Sequence, residues 1–244
     1  MNIKIIKLAI PLTLCLLVLN ACGNLRVISG SGNLGTKAIP VSGFSHIALG
    51  GVGELVIIQD GDESMSVETD DNLLQYIRAE VRGDTLHLSL VVPGAQTAQP
   101  TFLRFSVGVD DLASIEAGGS WAITSDKLIT DSLEIASTGA NEFNIASLRA
   151  NDLSVRITGS SKIKLSGSVI HQSINFVGGG TYDAGDLRSK TTSCLSDGTG
   201  QIIIWATDNL TGTLNSSGSL QYFGAPQTTF SQPGNGNIQY LGDK

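Results

Sequence analysis

A glycine that returns about every 20 residues constrains this chain more than any other feature. Aligned on Gly119, Gly139, Gly159, Gly180, Gly198, Gly218 and Gly236, the spacings are 20, 20, 21, 18, 20 and 18. Four residues before these glycines stand Ile115, Ile135, Val155, Phe176, Cys194, Leu214 and Gln232. Four residues after them stand Ile123, Phe143, Ile163, Ala184, Ile202, Tyr222 and Tyr240. Between the glycines apolar residues alternate, as in Leu133-x-Ile135 and Leu153-x-Val155-x-Ile157, the period of a strand with one buried face. About 20 residues is too short for a strand–helix–strand unit, which needs roughly 30. A series of hairpins would need a tight-turn sequence for each. Coils stacked at about 4.8 Å need none, bury like residues on like, and cannot bury an inner face singly. The expected fold is all-β: a parallel β-helix, or β-solenoid, with coils of about 20 residues.

The N-terminal third follows the pattern less cleanly. Ile47, Leu49, Gly51, Leu55 and Ile57 match the same columns, so residues 43–58 are expected to form an earlier coil. Met65-x-Val67, Leu86-x-Leu88-x-Leu90 and the run from Phe102 to Val109 read as further strands. Asp70 to Ile77 could form a capped helical turn, followed by a strand through Ile77, Ala79 and Val81. Val92 to Thr101, with two prolines, reads as an inserted loop.

The first 21 residues differ in character from the rest. Lys4 and Lys7 precede a nearly unbroken apolar run from Leu8 to Leu19. Twelve residues is short for a bilayer core of about 30 Å and fits the apolar region of a signal peptide. Leu19-Asn20-Ala21-Cys22 resembles a bacterial lipobox, in which the Cys22 thiol receives a diacylglycerol and cleavage then frees its amine. Residues 1–21 are therefore expected to be a lipoprotein signal peptide, 22–37 a lipidated tether and 38–244 the β-helix domain. Anchoring to the membrane would run through the lipid on Cys22. Gly23 stands where an aspartate would retain an enteric lipoprotein at the inner membrane, so the expected address is the outer membrane. Losing Lys4 and Lys7 takes the formal charge from −7 to −9. So acidic a chain is a poor partner for nucleic acid, whose binding rests on Lys and Arg meeting phosphates. Of the three cysteines Cys15 leaves with the signal and Cys22 carries lipid. Cys194 remains alone, so no disulfide framework is expected.

Several stretches together resemble a known family. They are Gly30-Ser-Gly-Asn33, Val41-Ser-Gly-Phe44, Asp71-Asn72-Leu73-Leu74 before an Ile-x-x-x-Val strand, the recurring glycine columns, and Leu220-Gln-Tyr222-Phe-Gly224-Ala-Pro226. In order and spacing these resemble the bacterial autotransporter adhesin head domains, or GIN domains, over residues 38–242. The resemblance implies a right-handed, single-stranded β-helix carried on secreted or lipid-anchored proteins. It supplies no catalytic residues.

Motifs that could carry chemistry have plain structural explanations. Gly30-x-Gly32-x-x-Gly35 satisfies a dinucleotide fingerprint but lacks the strand and helix that give it meaning, and reads as tether. Gly178-Gly-Gly-Thr-Tyr-Asp183 is a single, incomplete version of a calcium repeat. His46, His87 and His171 are scattered, and Cys194 falls in an inward column, which suits a buried thiol. No metal or cofactor site is expected. Asp110 with Asp111, and Asp183 with Asp186, are the carboxylate pairs that a polysaccharide-cleaving β-helix would need. One outward column, however, reads Ala122, Glu142, Lys162, Asp183, Gln201, Gln221, Gln239, which suggests a cross-coil ionic ladder continued by an amide ladder.

Alternation sends Ile203 and Trp205 outward, with Phe223 and Leu241 expected in the column of Ile203. Earlier coils hold Thr124, Asn144, Lys164 and Gly185 there, so an apolar stripe is confined to the C-terminal end. Either a chain segment covers it as a cap, or it is a binding surface built on Ile203, Trp205, Phe223 and Leu241. The expected function is that of a non-catalytic envelope lipoprotein, a binding or adhesion-type module for a glycan, an envelope component or a protein. The alternative is a polysaccharide-active enzyme on the same scaffold.

Overall fold

The computed structural model describes residues 27–94 and 97–244; the expected signal peptide and Cys22 lie outside them. The described chain is all-β, with one 3-10 turn at Leu74–Tyr76. Its strands are β1 (Val27–Ser29), β2 (Leu34–Ala38), β3 (His46–Gln59), β4 (Ser64–Asp70), β5 (Ile77–Arg82), β6 (Thr85–Leu90), β7 (Thr97–Gln99) and β8 (Leu103–Val109). They continue with β9 (Ser114–Ser125), β10 (Leu128–Ile129), β11 (Ser132–Gly139), β12 (Glu142–Ser196), β13 (Gln201–Leu214), β14 (Ser219–Phe223), β15 (Gln227–Ser231) and β16 (Asn237–Gly242). One large mixed sheet carries all but β1 and β7, which pair with each other in parallel.

From β9 onward every pairing is parallel and in layers. Ile115, Ile135 and Val155 lie level on β9, β11 and β12, and so do Gly119, Gly139 and Gly159. The earlier repeat joins the same stack: Ile47 pairs with Ile115, Gly51 with Gly119 and Leu55 with Ile123. The inward faces of these layers make one core, in which Ile47, Ile115, Ile135, Phe143 and Val155 are all buried. Each such side chain contributes about 1.5–3 kcal/mol on burial. β12 runs unbroken for 55 residues through several layers, several of its corners being turned by glycines at positive φ (Gly159, Gly167, Gly178 and Gly180) rather than by loops. Gly139 shows why the corner must be glycine. Its φ is +116°, and a Cβ there would collide with the carbonyl oxygen of Gly119 in the layer below.

The next corners correct the sequence alignment. Gly178 stacks on Gly159, whereas Gly180 stacks on Ser161; Gly198 then follows Gly178, and Gly200 follows Gly180. Two corner positions, two residues apart, both exclude a side chain, and the alignment through Gly180 and Gly198 steps from one column to the other. A slip of two leaves each residue on its expected face while changing its neighbours. Phe176, Cys194 and Leu214 are buried as expected, but Cys194 lies level with Gly212, and Leu214 with Ser196. Gln232 is exposed, not inward, in the loop between β15 and β16.

One buried side chain ties three layers together. The Nδ2 of Asn141 donates to Ala117 O at 3.0 Å and to Ser137 Oγ at 2.9 Å, and its Oδ1 accepts Trp121 N–H at 2.9 Å. Its own N–H donates to Ser161 Oγ, which shares a 2.7 Å hydrogen bond with Ser137 Oγ.

The N-terminal third departs from the parallel arrangement expected across 38–244. β2 pairs antiparallel with β4, β4 with β8, and β5 with β6. β6 and β8 still stack in parallel on β3, with Ile47 level with Leu86 and Leu55 with Phe105, while β2, β4 and β5 are the strands that run antiparallel to their neighbours. The loop expected between Val92 and Thr101 carries β7. Residues 27–37, expected to belong to a loose tether, are instead built into the domain through β1 and β2. Asp70, fully buried, holds the turn between those strands. Its carboxylate accepts Gly32 N–H at 2.8 Å, Thr101 N–H at 2.8 Å and the Thr101 hydroxyl at 2.7 Å. Burial pushes the Asp70 carboxyl up, but these hydrogen bonds outweigh it and hold it below the usual value of 3.8. A side chain at Gly30 would meet that carboxylate.

Candidate functional site

Strands β13, β14 and β16 present one outer face at the end of the stack. On β13 the outward residues are Gln201, Ile203 and Trp205, and on β14 Ser219, Gln221 and Phe223. Gln201 lies level with Ser219, Ile203 with Gln221, and Trp205 with Phe223. The two-residue slip thus changes the expected stripe. Trp205, rather than Ile203, shares a column with Phe223, and Ile203 sits between Asp183 and Gln221. Leu241 falls in an irregularity where Phe223 pairs with Gly242. Ile203, Trp205, Phe223 and Leu241 are all half-buried. Ile203 and Phe223 still approach each other, since both close over the bare backbone of Gly185; a Cβ there would be 3.2 Å from Ile203 and 3.5 Å from Phe223.

A buried polar chain anchors the strand behind Trp205. Ser189 Oγ donates to Trp205 O at 2.9 Å and shares a 2.6 Å hydrogen bond with Thr192 Oγ1. Thr192 Oγ1 lies 3.1 Å from Gln172 Oε1, and Gln172 Nε2 donates to the Tyr182 hydroxyl. Burial pushes the Tyr182 phenol well above its usual range.

Beside the aromatic pair runs a row of amides. Gln201 Nε2 donates to Gln221 Oε1 at 2.8 Å, and Gln221 Nε2 to Gln239 Oε1 at 2.9 Å. The expected amides are therefore joined, but not in the expected column: Gln201 lies level with Ser219 and reaches Gln221 diagonally. Asp183 lies level with Ile203 rather than with Gln201, and among the described residues no ion pair joins Glu142, Lys162 and Asp183.

The sequence pattern missed Lys244, which follows the last strand and carries no periodic signal. Its Nζ donates to Gly185 O and to Asp186 Oδ1, each at 2.6 Å. It sits 4.5 Å from the ring centre of Phe223 and 5.6 Å from that of Trp205. The hydrogen bond and charge of Lys244 draw the Asp186 carboxyl below its usual value. Asp183 accepts Gly185 N–H at 3.1 Å. The two acids once paired as catalytic candidates thus serve different partners.

Other candidates lie apart from this face. Asp111 accepts the Leu112 N–H at 2.9 Å, and the Asp110 carbonyl accepts Gln59 Nε2 at 3.0 Å. His46 Nδ1 is 2.7 Å from Ser114 Oγ, and His171 Nδ1 is 2.7 Å from Thr191 Oγ1. Among the described residues no three His, Cys, Asp or Glu side chains converge as metal ligands would. Cys194 is buried, and burial pushes its thiol up to about 12.

A family model described as "Putative auto-transporter adhesin, head GIN domain" matches residues 43–226. The chain belongs to this family. A crystal structure of a putative adhesin from Bacteroides fragilis resembles this GIN domain with a TM-score of 0.82 and 27% identity, over 88% of this chain and 100% of that one. A putative adhesin from Parabacteroides merdae aligns over 88% of this chain and 99% of that one, with a TM-score of 0.66 and 19% identity. A protein from Parabacteroides distasonis titled a putative lipid binding protein covers the same 88% and all of its own chain, with a TM-score of 0.63 and 22% identity. These last two likenesses are of fold. No curated protein matches the chain.

Proposed function

We propose that this GIN domain is a non-catalytic adhesion-type module of the bacterial envelope and that its outer face at Trp205 and Phe223 binds a glycan. One observation carries the reading: two aromatic rings lie level on adjacent strands beside the Gln201–Gln221–Gln239 amide row. Aromatic faces stack on the apolar faces of sugar rings, and aromatic anchors dominate contact surfaces in general. Amides beside them supply the donors and acceptors that sugar hydroxyls need. Membership of a family described as putative adhesin heads and the likeness to the putative adhesin from B. fragilis support an adhesive role at the cell surface or envelope. The parallel layers from β9 onward support a right-handed, single-stranded β-helix for that part of the chain. Lipid anchoring at Cys22 and an outer-membrane address follow from Leu19-Asn-Ala-Cys22-Gly23. With a formal charge near −9 after loss of the signal, nucleic acid is not the partner.

The test is a glycan array probed with the full chain and with a Trp205→Ala/Phe223→Ala variant. Retention on a defined set of glycans should fall about tenfold or more in the variant, with far-UV circular dichroism showing both proteins folded at the assay temperature. Equal retention by both proteins would remove the face from consideration. For the anchor, labelling with a palmitate analogue should mark the wild type and not Cys22→Ser.

A further inference from the structure

Lys244 does more than cover the aromatic pair. Its ammonium is held as a bound cation would be: two hydrogen bonds of 2.6 Å, to a backbone carbonyl and a carboxylate, and two aromatic rings with centres 4.5 and 5.6 Å away. Each element favours a cation, and their convergence on one nitrogen makes a site rather than a patch. Ring faces carry negative potential and attract an ammonium, more strongly where water is excluded. Charge-assisted hydrogen bonds are about twice as strong as neutral ones. Gly185 contributes by lacking a side chain, which leaves its carbonyl reachable between Ile203 and Phe223.

We infer that Trp205, Phe223, Asp186 and the Gly185 carbonyl form a receptor for a primary ammonium group, that Lys244 is its resident occupant, and that an amino-sugar glycan displaces it. This inference rests on the glycan reading above and narrows it to sugars with a free amine. The carrier is a sugar because the amide row Gln201–Gln221–Gln239 flanks the aromatic column on the same face. Other charges nearby set the number of amines. Lys164 already acts on Asp186, and exposed Arg188 lies level with Trp205. The cluster therefore suits a short carrier with one or two amines and repels a long run of positive charge.

Lys244 lies beyond β16, in a segment without strand pairing, so it can leave the site without breaking a layer. Binding by a ligand must first displace it, and the apparent affinity is the intrinsic one multiplied by the fraction of time the site is free.

The test uses the full chain, calorimetric titration at 0.15 M salt, and two disaccharides: chitobiose, with free amines, and N,N′-diacetylchitobiose, without them. Wild type, Lys244→Ala, and Lys244→Ala with Asp186→Asn are compared. Lys244→Ala should bind chitobiose about tenfold more tightly than wild type does, and more tightly than it binds the diacetyl sugar. Adding Asp186→Asn should abolish that preference. Equal binding of the two sugars by Lys244→Ala overturns the ammonium receptor while leaving the glycan face standing. A preference that survives Asp186→Asn also overturns it, because the overall acidity of the chain would then be the cause. Binding of neither sugar to Lys244→Ala overturns the amino-sugar receptor, and the glycan array then decides the broader reading.

Discussion

The stacked layers from β9 to β16 and the N-terminal strands, where parallel pairing on β3 is mixed with antiparallel pairing, share one apolar core but differ in what else holds them. In the stack the same contacts recur: Ile115 on Ile135 on Val155, glycine on glycine at the corners. In the N-terminal third single carboxylates act as pins. Asp70 holds the β1–β2 turn, Glu63 accepts the N–H groups of Gly43 at 2.7 Å and Phe44 at 3.0 Å, and Glu54 pairs with Arg104 at 2.7 Å. The N-terminal strands bury Val67, Leu86, Leu88 and Phe105 in that same core, but the segment through β1 and β2 buries no large apolar side chain and depends on single polar groups. The stack should therefore fail as a whole when its interior is disturbed, and the β1–β2 segment should be able to detach by itself.

The largest effect is expected inside the stack. Val155→Asp places a carboxylate among Ile135, Ile157 and their neighbours with no partner. That costs several kcal/mol, enough to unfold a domain stable by about 5–15 kcal/mol. Far-UV circular dichroism should show the loss at room temperature, and an unchanged thermal midpoint would mean the inward column is wrong.

A smaller and local effect is expected at Asp70. Asp70→Ala leaves the Gly32 and Thr101 N–H groups without their acceptor, a loss of about 1–3 kcal/mol confined to the N-terminal segment. Limited proteolysis should then cut within residues 30–37 while the layers after residue 114 stay intact; simultaneous loss of both would deny the contrast. Acid should do the same to the wild type. Because the folded Asp70 carboxyl lies below its unfolded value of 3.8, its contribution is complete above that pH. It is lost as pH falls below 3.8 and through the folded value. Hydrogen exchange should increase in β1 and β2 before it increases in β11.

The smallest effects belong to the outer columns. Gln221→Ala breaks the middle of the amide row and should cost about 0.5–1 kcal/mol, read as a small shift in urea midpoint. Glu142→Ala, with no ion pair to lose, should shift it by less than Gln221→Ala does. The reverse order would restore the ionic ladder.

Much of this fold is legible in the sequence, because alternation fixes faces and the glycines mark corners. Ile47, Gly51 and Leu55 could be assigned to the stack across an insertion of more than 50 residues, since their pattern repeats that of Ile115, Gly119 and Ile123. Register is harder to read. Gly178-Gly179-Gly180 offers two equally good corner glycines, and no pattern of period two distinguishes alignments that differ by two. The error passed into the site, where Phe223 was expected level with Ile203 and stands level with Trp205. The antiparallel pairings of β2, β4 and β8 were not legible, because alternation does not encode strand direction. Nor was the placement of Lys244, a contact between residues 58 and 59 positions apart that no local periodicity records.

Asn141 bears on how such a molecule could change its length. Interior layers of a stack offer and accept the same contacts, so a whole repeat can in principle be duplicated and spliced between its neighbours. Asn141 removes that equivalence where it stands, because it bonds to Ala117 and Trp121 on one side and to Ser161 on the other. A new layer on either side of Asn141 would strand the Trp121 N–H or the Asn141 N–H in a dry interior. Growth by duplication is therefore opposed around Asn141, and again where the hydrogen bonds of Gln172, Thr192 and Ser189 cross from layer to layer toward Trp205. A stack pinned at both places keeps a fixed distance between its first repeat and its aromatic face.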